Sequence, residues 1–306
     1  MVEIVSNAHD LGGSRVHDQW DITNGIGLTA LAVAAARAVE AGRPDALVRD
    51  RWAGEFVRAA RSVDPSVGFP AGAADVGDDV QLWLPMTDYM AVRSRVFDDA
   101  LLDGVRAARQ VVVLAAGLDV RALRLPWPPG TTVFEVDQPR VLAFKQEVID
   151  SRGGTSGDRR TVPVDLRDDW SSALLDRGFD PAAPTAWLAE GLLPYLPAGA
   201  EKALFETVDR LSAPGSTLAV EAVGEDQVEA IDGHPVATRS AASLGMDLVA
   251  LWNREPRTDC AVRLRELGWE VATESAGAVA QELGRPLVGD VAGIMAAGRF
   301  VRGRKA

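Results

Sequence analysis

The sequence predicts an α/β fold: an open, doubly wound, mostly parallel sheet of seven strands. Three observations carry this expectation. Gln110–Ala115 is a Val-rich apolar run of the kind buried on both faces of a parallel sheet, and it stops at Ala116-Gly117, where small residues allow close approach to the backbone. A second apolar run, Thr131–Val136, leads into Glu135-Val136-Asp137. That places carboxylates at the end of one strand beside a glycine at the end of its neighbour, where open parallel sheets take nucleotide-like ligands. From there onward, strand and helix patterns alternate to the end of the chain.

The elements follow in order. Residues 1 to about 18 are polar. Asp21–Glu40 reads as helix, with Leu28, Leu31, Ala32, Ala35 and Val39 near a 3.6 period, ended by Gly42-Arg43-Pro44. Asp45–Arg61 reads as a second helix with Leu47, Trp52, Phe56 and Val57 apolar. Val63–Gly77 is a loop rich in Pro, Gly and Ala. Val80–Gly104 resumes as helix with Leu82, Leu84, Tyr89, Val92 and Val96 facing inward. Pro139–Asp150 follows the second strand as helix, its proline at the first position, where a missing N–H costs least. Thr161–Val164 is the third strand, Trp170–Arg177 a helix, Thr185–Ala189 the fourth strand, Ala200–Leu211 a helix and Ser216–Val223 the fifth strand. Glu225–Asp259 breaks the rhythm and reads as a largely helical insertion. Cys260–Leu267 is a helix, Trp269–Thr273 a sixth strand and Ala292–Val301 a seventh. This organisation gives a helical N-terminal cap over residues 1–104 and a sheet core over 105–306, with 225–259 as an insertion on the substrate side.

Composition narrows the function. A net charge of -12 gives no general attraction to nucleic acid or to an anionic membrane. The single cysteine, Cys260, excludes an internal disulfide framework and reads as a small, partly buried side chain. His9, His17 and His234 show no ligand spacing, so no metal is expected. The start MVEIVSNAHD lacks the basic and apolar regions of a signal peptide, and Leu28–Ala36 is too short to cross a bilayer. A cytoplasmic protein is the expectation.

Four strand ends carry an acidic or glycine element: Gly117 to Asp119, Glu135 to Asp137, Asp165-Leu166, and Glu190-Gly191. Parallel strands share a direction, so all four project from one sheet edge. A carboxylate about 20 residues past a glycine turn can accept from both hydroxyls of a ribose, and Asp137 is nearer the tip than Glu135. The alternative for Asp137 is to cap the helix that begins at Pro139. Asp165 can accept from an exocyclic amine such as that of adenine, while Leu166 packs on the ring; the alternative is a cap before Trp170. Asp119 either binds a ligand amine or holds Arg121. Glu190 follows a buried strand and should not point unpaired into the core; it can meet an ammonium group or orient a substrate. The turn holds one glycine where a nicotinamide-binding turn carries three, and Leu118, Val120 and Leu123 would crowd a pyrophosphate. A ligand with ribose, adenine, a cationic amine and no phosphate fits, and S-adenosyl-methionine meets all four conditions.

The stretches VVVLAAGLDVRALRLPWP, TVFEVDQP, PVDLR and WLAEGLLPYLP resemble the successive motifs of S-adenosyl-methionine-dependent methyltransferases related to leucine carboxyl methyltransferases, and more closely their actinobacterial branch. WDITNGIGLTALAVAAARAVEAGRPDALVRD, YMAVRSRVFDD and LWNREPRTDCAVRLRELGW extend the resemblance over nearly the whole chain. It implies a Rossmann-like class I methyltransferase fold. It also implies that Arg93 binds the methionine carboxylate, with Arg37 a weaker candidate whose helix covers the cofactor. In the same way it assigns Gly117 to the turn, Asp137 to the ribose, Asp165 and Leu166 to the adenine, and Glu190 to the methionine moiety. Tyr195 falls on the substrate side. Read from the residues themselves, the apolar set Leu244, Met246, Leu248, Leu251 and Trp252 of the insertion can wall a hydrophobic pocket there, the alternative being core or a helix–helix contact. Ser94 and Pro194 depart from the family pattern, and Pro194 alters the pocket. The absence of a histidine dyad favours a small-molecule acceptor that is an acid or an acidic hydroxyl, and hence O-methylation. A nicotinamide-dependent oxidoreductase and a non-catalytic binding module are the competing classes.

Overall fold

The computed structural model describes residues 26–77, 80–154, 157–223 and 249–306. Seven strands form one sheet: β1 (Gln110–Leu114), β2 (Thr132–Asp137), β3 (Asp158–Pro163), β4 (Thr185–Ala189), β5 (Thr217–Ala222), β6 (Trp269–Ser275) and β7 (Arg299–Lys305). Their order is β3-β2-β1-β4-β5-β7-β6. The first five are parallel, and β7 runs antiparallel between β5 and β6. The chain winds outward from β1 through β2 to β3, then returns to β4 on the other side. The carboxyl ends of β1 and β4 therefore form the switch point at which such sheets open a crevice.

Each central strand is buried on both faces, and its alternating residues feed two separate cores. Val111, Val113, Val133, Ala186, Leu188 and Ala219 face α1 (Ile26–Ala41), α2 (Ala53–Val63) and α3 (Val80–Gly104). Val112, Leu114, Phe134, Trp187, Leu218 and Val220 face α6 (Trp170–Asp176), α7 (Ala198–Arg210) and the helix Cys260–Glu266. α4 (Arg121–Arg124) and α5 (Pro139–Ser151) complete the connections around β2. The N-terminal helices thus pack on the sheet through a continuous apolar layer. No described helix is long and apolar enough to cross a membrane. Cys260 is buried, and burial pushes its thiol up to about 12, so it is chemically inert at neutral pH.

Three expectations need correction. The second helix starts at Ala53 rather than Asp45, because the Asp50 carboxylate accepts from the N–H groups of Trp52 (2.9 Å) and Ala53 (3.0 Å) and sets the helix start there. Leu84 faces outward, being 40 % exposed. The last strand is Arg299–Lys305, and the apolar run before it is a short helix, Asp290–Ala296. His9, His17, His234, Leu244, Met246 and Leu248 lie outside the described residues, with most of the 225–259 insertion.

Gly104 shows how tightly α3 lies on the sheet. A Cβ there would stand 2.5 Å from Thr217 Oγ1 and 2.9 Å from Ala186 Cβ, on β5 and β4. The hydroxyl can rotate away, but the alanine cannot. Gly104→Ala is expected to destabilise the protein by about 1–3 kcal/mol, read as a lowered midpoint of thermal unfolding; an unchanged midpoint would contradict this packing.

Candidate functional site

The turn after β1 reverses sharply. Ala115 (φ +50°) and Gly117 (φ +44°) both lie in the left-handed region, which an alanine rarely adopts. Strain of this kind persists where surrounding structure enforces it, and functional turns are a common place for it. The enforcing contact comes from the neighbouring strand. Asp137 Oδ2 accepts from the Gly117 N–H at 2.6 Å, and Oδ1 accepts from the Gln138 N–H at 2.6 Å. The Asp137 carboxylate therefore clasps the glycine turn, and the N-terminus of α5 carries no side-chain cap. Gln138 continues the chain by donating from Nε2 to Asp165 Oδ2 at 3.2 Å. Gly117, Asp137 and Asp165 are thus linked across the tips of β1, β2 and β3. Asp165 also accepts from the backbone and guanidinium of Arg167, while the cap before Trp170 is Asp169, which accepts from the Ser172 N–H. Leu166 is half-buried against the core beneath α6.

Glu135, two residues back on the same face as Asp137, serves differently. It is 1 % exposed and lies 2.8 Å from Lys145 Nζ and 2.7 Å from Arg159 Nη2. Its carboxylate balances two buried cations beneath the edge. The cavity lined by Trp127, Pro128, Pro129, Gly130 and Asp158 is at the opposite, amino edge, where β2 begins.

The other half of the edge is an ionic cluster. Arg93, on α3, presents Nε to Glu190 Oε1 at 2.8 Å and Nη1 to Glu221 at 3.0 and 3.2 Å. It ignores the acids of its own helix: Asp99 pairs with Arg95, and Asp98 with Arg121 and Arg124. Arg121, on α4, meets Asp119, Asp98 Oδ1 (2.7 Å) and Glu190 Oε2 (2.7 Å). Asp119 accordingly holds Arg121. Glu221, at the tip of β5, also accepts from Tyr89 Oη at 2.5 Å and from the Gly191 N–H at 2.7 Å. Arg37 is engaged by Asp50 (3.0 Å) and by the Leu118 carbonyl (2.8 Å), so it fastens α1 to the glycine turn.

Tyr195, in the short 3-10 turn Leu193–Tyr195, lies beside Trp252 and Thr29 of α1, whose polar groups offset part of the rise that burial gives its hydroxyl. The two substrate-side candidates are therefore neighbours. The segment carrying Trp252 is fixed to the same turn: the Asn253 N–H donates to the Pro194 carbonyl at 2.7 Å, and Arg257 Nη1 donates to the Leu193 carbonyl at 3.0 Å.

Sequence reasoning brought together Arg93, Gly117, Asp137, Asp165, Leu166 and Glu190, and the structure places all six along this edge. It overlooked Glu221, Tyr89 and the hub role of Arg121. Two signals pointed to them: Glu221 ends a buried strand as the other acids do, and Tyr89 stands four residues before Arg93 on one helix face.

The electrostatics divide the acids. Burial would raise Asp119, but Arg121 and Lys145 outweigh it and hold the carboxyl at about 2. Burial acts likewise on Glu190, and Arg121 and Arg93 prevail, keeping it below the usual carboxylate value. Burial raises Asp137, with the Gly117 and Gln138 N–H groups pulling the other way. Burial and the Glu221 charge push the Tyr89 hydroxyl well up. Because the folded value of Asp119 is depressed from 3.8, its stabilisation is present above about pH 4 and is lost as pH falls toward about 2. The amount is on the order of 2 kcal/mol. Urea unfolding from about pH 5 to about pH 3 is expected to show a shallower loss of stability with acid for Asp119→Asn than for the parent; parallel curves would refute the coupling to Arg121.

Comparison with known proteins agrees with this architecture. The family model described as "Leucine carboxyl methyltransferase" matches residues 30–209. A Saccharopolyspora erythraea protein named "Putative S-adenosyl-L-methionine-dependent methyltransferase" is 46% identical over 94% of this chain and 99% of its own length. A Streptomyces coelicolor protein of the same description is 50% identical over 83% of this chain and 84% of its own. Among solved structures, a duf574 family protein from Streptomyces avermitilis shares the fold with a TM-score of 0.52 at 17% identity, over 82% of this chain and 97% of that one. A match over more than half of the chain, and kinship over nearly all of it, are enough to state that this protein belongs to the leucine carboxyl methyltransferase family of S-adenosyl-methionine-dependent methyltransferases.

Proposed function

We propose that the protein transfers the methyl group of S-adenosyl-methionine to an oxygen of a small lipophilic acid, with a carboxylate as the favoured acceptor. The donor set at the carboxyl edge fits this cofactor. Asp137 stands at the tip of β2 beside the Gly117 turn, and each of its oxygens takes one backbone N–H, which leaves acceptor capacity for ribose hydroxyls. Leu166 supplies an apolar face for adenine, and Asp165, whose two oxygens are taken up by Arg167 and Gln138, accepts from the adenine amine by exchanging one of those bonds. Arg93 pairs with Glu190 across 2.8 Å at Nε and donates from Nη1 to Glu221, and no hydrogen bond to a described residue engages its Nη2, which would serve a carboxylate. Glu190, ionised by its two arginines, suits an ammonium group.

When bound, the cofactor supplies a methyl group on a positively charged sulfur that is displaced in line. The residues therefore have to align the acceptor and exclude water rather than generate a strong nucleophile. Tyr195 and Trp252, neighbours through the Asn253 N–H bond to the Pro194 carbonyl, would wall the acceptor side. The N-terminal helices and the 225–259 insertion would complete that side.

One observation carries the choice of acceptor. No described residue of the cluster is poised to remove a proton near neutral pH. Asp119 and Glu190 are held ionised by arginines, and the Tyr89 hydroxyl is raised and already donating to Glu221. A carboxylate acceptor is ionised at that pH and needs no base; an amine or alcohol would. Incubating the protein with radiolabelled S-adenosyl-methionine and matched sets of lipophilic acids, alcohols and amines is expected to label the acids as base-labile methyl esters. Label confined to N-methyl products would overturn the assignment.

A further inference from the structure

We infer that Glu221 is a positioning residue for the cofactor's amino-acid end, acting through Arg93 and the Glu190-Gly191 turn. The inference rests on the proposal that Arg93 receives the methionine carboxylate. A guanidinium at the end of a long side chain on α3 has many rotamers, and its use as a fork requires that its plane be fixed. Glu190 lies at one edge as an ion pair, its Oε1 2.8 Å from Nε without hydrogen-bond geometry, and so leaves the plane of the guanidinium unfixed. Glu221 constrains the next nitrogen, accepting from Nη1 with both oxygens at 3.2 and 3.0 Å. The remaining nitrogen, Nη2, makes no hydrogen bond to a described residue and is the one left for the cofactor's carboxylate.

Glu221 is itself held by groups from two other elements. Tyr89 Oη, one turn before Arg93 on α3, donates to Oε1 at 2.5 Å. The Gly191 N–H, which follows Glu190, donates to Oε2 at 2.7 Å. Gly191 has φ +61°, and a Cβ there would lie 3.7 Å from Arg93 Nη1 and 3.8 Å from Glu221 Oε2. The left-handed turn so fixed also sets where Glu190 stands. One carboxylate from β5 therefore orients both charged groups proposed to meet the cofactor's amino acid, the arginine for its carboxylate and the glutamate for its ammonium. With a side-chain exposure of 7 %, Glu221 is as buried as Arg93 itself.

The test compares two ligands that share the nucleoside and sulfur. S-adenosyl-homocysteine carries the amino acid; 5′-methylthioadenosine does not. Isothermal titration of the full-length parent and of Glu221→Gln and Arg93→Lys with each ligand separates the possibilities. Glu221→Gln is expected to weaken S-adenosyl-homocysteine about ten- to a hundredfold while leaving methylthioadenosine within about twofold, and Arg93→Lys to do the same. The doubly substituted protein is expected to lose little more than either single one. If Arg93→Lys discriminates between the ligands and Glu221→Gln does not, the positioning role is wrong while the role of Arg93 stands. If neither discriminates, the role of Arg93 fails and takes the inference with it. Equal loss of both ligands in Glu221→Gln would mean general disruption and would also overturn it.

Discussion

The burial of two guanidinium groups beneath the strand tips governs the rest of this structure. Arg93 and Arg121 have side-chain exposures of 7 % and 3 %, and charges so placed persist only with close partners. Those partners come from α3, from the turn after β1, and from the ends of β4 and β5: Asp98, Asp119, Glu190 and Glu221. Losing one partner of a buried pair typically costs about 3–5 kcal/mol. The helical cap and the sheet are therefore locked to each other at the carboxyl edge by charge as well as by apolar packing. The candidate site is where that lock sits.

The half of the edge around Gly117 and Asp137 obeys a different constraint. Its geometry is set by backbone conformation. Ala115 and Gly117 hold left-handed turns, and Asp137 secures them through one backbone N–H. The two carboxylates of β2 illustrate how depth decides role. Glu135 is below the edge and pairs with Lys145 and Arg159; Asp137 is at the edge and keeps acceptor capacity. A charge that reaches the rim can serve a ligand, whereas one buried below it must serve the protein.

The sequence was legible where a local pattern coincided with burial. β4 and α3 have the bounds read from the chain, because a short apolar run between turn residues and a long periodic stretch are unambiguous. The failures have local causes too. The second helix begins late because Asp50 supplies a cap that competes with helical continuation from Asp45. β7 was misplaced because its polar residues pair between β5 and β6, while the apolar stretch before it has helical propensity through its alanines. In the site, Asp137 and Glu190 were recognisable as acids at strand ends. Glu221 had the same signature, but its value depends on α3 passing over β5, which no sequence spacing reports.

By itself, the sequence determined the alternation of strands and helices, the shared direction of the first five strands, and hence that several acids and one glycine turn meet at one edge. Those follow from local propensity and from the geometry of parallel connections. Tertiary structure alone decided which acid pairs with which cation. Salt bridges between residues more than a hundred positions apart, such as Arg93 with Glu221, depend on how whole elements dock. Desolvation then fixes the charge state, and neither docking nor desolvation is a property of any short stretch of chain.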